Sequence, residues 1–189
     1  MLKDIPLKSK DSITKNLLVL NICSWHQLVE HVKNLPYGRN SNRSDFNLVI
    51  TENKGTCSSK HALLKKVADV NGLSNVKLIL GIYKMNQKNT PKIGNVLSQN
   101  NLDYIPEAHC YLSIDGRRFD YTSTNSKIDK IENDILEEIE ISPEQVVEFK
   151  IKFHKNFIKG WLEESKSNKT YAQIWDIREK CITNLSGNS

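Results

Sequence analysis

The sequence predicts an α+β domain, and three observations carry that prediction. Apolar residues recur at helical spacing behind Ser24 and again from Leu63 to Ala68. The run "NVKLILGIYKM" is rich in β-branched and aromatic residues, and "EAHCYLSIDGRRFDYTS" holds two alternating segments joined by Asp115-Gly116, a favoured two-residue hairpin turn. The last third returns to helical patterns. Helices, then an antiparallel sheet, then helices make a single domain over 1–189, with a core about 20–125 and a helical C-terminal extension about 126–189.

In chain order, Ser24 followed by Gln27 forms a capping box, and Trp25, Leu28, Val29, Val32 and Leu35 make the stripe that Pro36 ends. "LPYGRNSNRSDF" is a loop by composition, and "FNLVIT" suits either a strand or the approach to the next helix. Gly55 and Thr56 can open a helix whose stripe of Leu63, Leu64, Val67 and Ala68 runs to a stop at Gly72. The polar stretch from Asn86 to Pro106 is long for a connection and reads as a flap or binding loop rather than a passive linker. Ser142-Pro143 begins a C-terminal helix, and "TYAQIWDIREKCITNL" makes another.

Composition bounds the function classes. With 38% hydrophobic and 26% charged residues the chain suits a globular protein, and no run approaches the ~18 apolar residues of a membrane span. No signal peptide is visible, so a cytoplasmic location is the default, with no membrane partner. The four cysteines form no CxxC pair and read as reduced thiols. The net charge of +5 is spread out rather than gathered into a basic stripe with stacking aromatics, so a nucleic-acid partner is not expected.

Cys57 opens a predicted helix, where unpaired N–H groups and the helix dipole favour thiolate over thiol. Such cysteines can have pKa values lowered from about 8.5 to between roughly 3.5 and 7.5. Position alone leaves three readings open: a buried core thiol, a metal ligand or a nucleophile. His61, one turn later, could reach back toward the thiol, but it reads as a helix-face residue packed beside the core. His26, His31 and His154 sit in helical patterns among charged neighbours and read as surface residues.

His109 sits on the hairpin, whose turn fixes a register. Ile114 should pair with Arg117, and the ladder should continue outward to pair Tyr111 with Asp120. Asp120 then shares the face of His109, Tyr111 and Ser113 and is diagonal to His109, about 7–8 Å away at the backbone. The opposite face, with Ala108, Cys110, Leu112, Ile114, Phe119 and Tyr121, reads as core. By itself the pair could equally be a solvated His and Asp on an open hairpin face.

The ordered set resembles the transglutaminase-like superfamily, across "GTCSSKHALLKKVADVNGLSNVKLILGIY" and "AHCYLSIDGRRFDYT", a little over a third of the chain. The resemblance implies a papain-like fold in which the nucleophile helix packs on an antiparallel sheet. It also implies a Cys57-His109-Asp120 triad: nucleophile, general base and acid, and orienter. The expected activity is cysteine-dependent acyl transfer, by an amidase or peptidase-type hydrolase or by a transferase. The partner is a small-molecule or peptide substrate with an amide or acyl group, and no cofactor or metal is called for. Tyr111 and Phe119 stand where that superfamily often carries tryptophan, which leaves the subfamily open.

One oxyanion donor is expected at the Cys57 backbone N–H, and the second from Tyr37, Asn40 or Asn42. Arg39 reads either as a solvated charge or as a contact for an anionic substrate. Two alternatives stand beside this reading. A zinc site could draw on Cys57, His61, His109 and Cys110, although His109 and Cys110 are adjacent on a strand and point to opposite faces. A non-catalytic binding module of the same fold would keep the architecture without turnover.

Overall fold

A four-stranded antiparallel sheet organises the chain in the computed structural model, which describes residues 4–165 and 167–187. The strands are β1 (Val76–Met85), β2 (Ile105–Ile114), β3 (Arg117–Phe119) and β4 (Ile135–Ile141), in the order β3-β2-β1-β4. Helices α1 (Ser12–Val19), α2 (Trp25–Asn34), α3 (Leu48–Thr51) and α4 (Cys57–Val70) precede the sheet. Helices α5 (Glu148–Ser165) and α6 (Tyr171–Gly187) follow it. The α+β class predicted from sequence holds at this level.

β1 and β2 read as nearly continuous apolar runs because both faces of the sheet are covered. On one face Leu78, Leu80, Ile82, Ala108, Cys110, Leu112 and Ile114 pack in a core with Leu63, Leu64 and Val67 of α4. On the other, Tyr83, Met85, Ile105 and Tyr111 share a second core with Ile93, Leu97 and the α6 residues Ile177 and Cys181. His109 lies on this second face, opposite Gly81 of β1.

The hairpin register agrees with the sequence as far as the ladder goes. Ile114 pairs with Arg117, Ser113 with Arg118 and Leu112 with Phe119. Asp115 (φ 51°) and Gly116 (φ 77°) both take the left-handed conformation that such a turn requires. The ladder then stops, and Asp120 does not pair with Tyr111 as the extended register would have it. Its Oδ1 instead accepts from the Thr122 N–H (2.9 Å) and the Thr122 hydroxyl (2.6 Å), a side-chain turn that bends the chain out of the sheet.

In "FNLVIT", for which a strand and the approach to a helix were both open, Leu48–Thr51 form the short helix α3. Two other expectations are corrected. The region 126–189 is not wholly helical: β4 lies within it, pairing with β1 as the fourth strand at one edge of the sheet. There Ile139 and Ile141 turn inward between outward glutamates, and that period of two outweighs the helical preference of glutamate. The stretch 86–106 is no flap. It carries two short 3₁₀ turns, buries Ile93 and Leu97, and is pinned where the Asn184 amide donates to the Ile93 carbonyl at 2.9 Å.

Candidate active site

Thr56 caps α4 through a reciprocal pair of hydrogen bonds with Ser59, so Cys57 is the first helical residue and its N–H has no intrahelical acceptor. Gly55 precedes it under tight constraint: a Cβ there would come within 2.8 Å of the Lys60 side chain. The same glycine is zipped to the 36–38 segment, donating to Pro36 O (3.1 Å) and accepting from Gly38 N (3.3 Å). This holds Tyr37 beside the start of α4. Cys57 is 8% exposed and lines a cleft of about 310 Å³.

The His109 imidazole meets Asp120 at 2.9 Å through Nε2, and it lies close enough to Cys57 for the two groups to interact. Burial opposes charge on all three groups, yet their mutual interactions prevail. Asp120 and Cys57 hold the imidazole well above its ordinary range, while His109 holds the Asp120 carboxyl far below its own. Cys57 is lowered to about 5 despite its burial, by the charges of Lys150 and His109, a hydrogen bond with the His109 side chain and the Cys110 backbone N–H. Both shifts run in the direction that favours a thiolate–imidazolium pair.

His61 is fully buried behind this pair. Its Nε2 accepts from Tyr121 N at 2.8 Å, so the proton is on Nδ1, which donates to the Cys57 carbonyl at 2.8 Å. Burial is the main cause of its pKa falling to about 4, and the ring stays neutral. It thus ties the first turn of α4 to the segment carrying Asp120. Lys60, also fully buried, clamps the same region by donating to Leu35 O and, at 2.7 Å, to Thr122 O.

The far wall of the cleft comes from the C-terminal helices, where sequence reasoning placed nothing. The Lys150 ammonium, on α5, is buried 3.8 Å from the Cys57 sulfur and donates to Ser58 Oγ at 2.7 Å. Burial works against its charge, but Cys110, Cys57 and Glu107 keep it above the usual lysine range. His154 is 2% exposed rather than on the surface, and its Nε2 donates to Pro106 O at 2.8 Å. Glu107 of β2 is gripped by Arg178 of α6 through two hydrogen bonds of 2.6 and 2.7 Å. Burial alone would raise the Glu107 carboxyl, yet Arg178 brings it down to about 2.

Of the three side chains offered as oxyanion donors, only Tyr37 reaches the cleft. Burial, with Cys57 and Glu107 nearby, raises its phenol well above the ordinary range and keeps it protonated. Asn40 belongs to the loop instead, where its amide donates to Leu48 O, Glu52 Oε2 and Lys54 O. Asn42 caps an exposed turn through Ser44 N at 3.0 Å. Arg39 stands at the mouth, paired with Glu179 at 3.3 Å. Among the described residues, no group of three His, Cys, Asp or Glu side chains is placed to hold a metal ion. No protein-family model, curated protein or solved structure matches the chain.

Proposed function

We propose that the chain is a cysteine-dependent acyl-transfer enzyme on a papain/transglutaminase-like plan, with Cys57 as nucleophile, His109 as general base and acid, and Asp120 as orienter. The observation that carries the reading is the cluster at the start of α4, in which His109 Nε2 meets the buried Asp120 carboxylate at 2.9 Å and the Lys150 ammonium lies 3.8 Å from a Cys57 sulfur whose pKa is lowered. The Cys57 sulfur attacks the acyl carbon, forming a C–S bond as the carbonyl π pair moves to oxygen. The Cys57 N–H and the Tyr37 hydroxyl are the donors proposed for that oxyanion.

Collapse of the intermediate expels the leaving group, which takes the His109 proton and leaves a thioester. Neutral His109 then removes a proton from water or an amine as it attacks the thioester, and the sulfur departs as thiolate. Water as acceptor makes a hydrolase of the amidase or peptidase type, and an amine makes a transferase.

The test is the pH profile of Cys57 alkylation by iodoacetamide, read on the Cys57 peptide by mass spectrometry so that exposed Cys23 does not interfere. The rate should remain high below about pH 6 and fall through a midpoint near 5. Substituting His109→Ala should move that midpoint up toward an ordinary thiol. A wild-type midpoint near about 8.5 sinks the nucleophile reading.

A further inference from the structure

We propose that the cleft beside Cys57 binds a small acyl substrate bearing an anionic group, held by Arg43 and Lys155 at the mouth. The inference rests on Cys57 being the acylated residue. Five cations line the cleft (Arg39, Arg43, Lys150, Lys155 and Arg178) against the carboxylates of Glu107 and Glu179. Both carboxylates are already engaged: Arg178 binds Glu107 through two nitrogens and Glu179 through a third, and Arg39 also reaches Glu179.

Arg43, Lys150 and Lys155 have no carboxylate within ion-pair distance among the described residues. The Cys57 thiolate offsets one of these three charges, and two remain unanswered at the mouth. His154, kept neutral chiefly by burial, adds none. Lys155 also rests 5.2 Å from the centre of the Trp175 ring, which places its ammonium over an apolar wall. A cleft lined by one sign of charge concentrates ligands of the other, and a guanidinium can grip a carboxylate or phosphate with two parallel hydrogen bonds. The volume of about 310 Å³ is at the small end of small-molecule sites and admits a compact metabolite or a chain end.

The anion preference can be read without knowing the substrate, by alkylating Cys57 with iodoacetate and with iodoacetamide. Both reagents deliver a carbon of similar size to the same sulfur, and one carries a carboxylate. The ratio of their rate constants cancels the thiolate fraction and is compared with that of 2-mercaptoethanol. At low ionic strength the protein's ratio should favour iodoacetate about tenfold or more over the free thiol's, and the excess should shrink as salt is added. In the Arg43→Gln/Lys155→Gln double variant the ratio should fall toward that of 2-mercaptoethanol.

A wild-type ratio equal to the free thiol's, or one that the double variant leaves in place, overturns the proposal. Fast alkylation without the anion preference would defeat this inference and spare the nucleophile reading, whereas slow alkylation by both reagents would defeat both. Glutarate and inorganic phosphate, each at constant ionic strength, then compete with iodoacetate. Stronger protection by glutarate identifies a carboxylate, stronger protection by phosphate identifies a phosphate, and protection by neither overturns the anion site.

Discussion

Lys150 and Cys57 stabilise each other's charges in a place where neither charge would persist alone. A buried ammonium without an anion is costly, and here the contacting anion is the sulfur, 3.8 Å away. Lys150→Met keeps the volume and removes the charge. The Cys57 pKa should rise, and alkylation at about pH 6 should slow by roughly tenfold, within the range that loss of one close opposite charge produces. Cys57→Ala should destabilise the protein by about 3 kcal/mol in chemical denaturation, because it strands the Lys150 charge. The Cys57→Ala/Lys150→Met double variant should cost less than Cys57→Ala alone, and strictly additive costs would sink the coupling. Nothing in the sequence marked Lys150. It shares α5 with Lys152, Lys155 and Lys159, and only the packing of α5 onto β2 and α4 decides which lysine points inward. His109 was legible for the opposite reason, since the Asp115-Gly116 turn fixes a register from local chemistry alone, whereas Asp120 lies past the end of that ladder and meets His109 from a side-chain turn with Thr122.

At the level of elements, β2 carries the site and its neighbours hold it in place. Arg178 of α6 reaches across to Glu107 of β2, a buried pair whose partners were unconnected in sequence by 71 positions. Glu107→Gln leaves the guanidinium without its main anion and should cost about 3–5 kcal/mol, a fall in Tm of roughly 6–20 °C for a domain of this size. The pH dependence follows from the same pair. With a folded pKa of about 2 against an ordinary value near 4.3, Glu107 contributes its full stability above about pH 4.3 and loses it as the pH falls through 2. Acid titration of the wild type should therefore show a loss of stability in that window that Glu107→Gln lacks. On the strand next to β2, Gly81 pairs with His109, and a Cβ there would sit 2.8 Å from the Tyr111 hydroxyl oxygen. Tyr111 is fully buried, so Gly81→Ala should cost about 1–3 kcal/mol by overpacking and displace the strand that carries His109. A Gly81→Ala protein as stable as wild type would show that β1 and β2 can part without penalty.

Across the whole molecule, the segment after position 126 is part of the domain rather than an appendage to it. β4 completes the sheet, Ile141 and Val146 join the α4-side core, and Ile177 and Cys181 close the other. The C-terminal helices also supply Lys150, His154 and Arg178 to the cleft, so half of its wall would leave with them. Their place was illegible beforehand because an amphipathic helix shows in sequence that it must bury a face, without showing which surface receives it. Three tryptophans report the two regions separately: Trp25 is buried in α2, while Trp161 and Trp175 lie half-buried in α5 and α6. Trp25→Phe leaves fluorescence only in the C-terminal helices, and Trp161→Phe/Trp175→Phe leaves it only in the N-terminal half. If the chain folds as one cooperative unit, the fluorescence midpoint within each variant should coincide with that variant's own midpoint by circular dichroism. A C-terminal signal melting several degrees before the sheet would mean that the cleft opens by undocking of α5 and α6, and Cys57 would then lose Lys150 while the sheet is still folded.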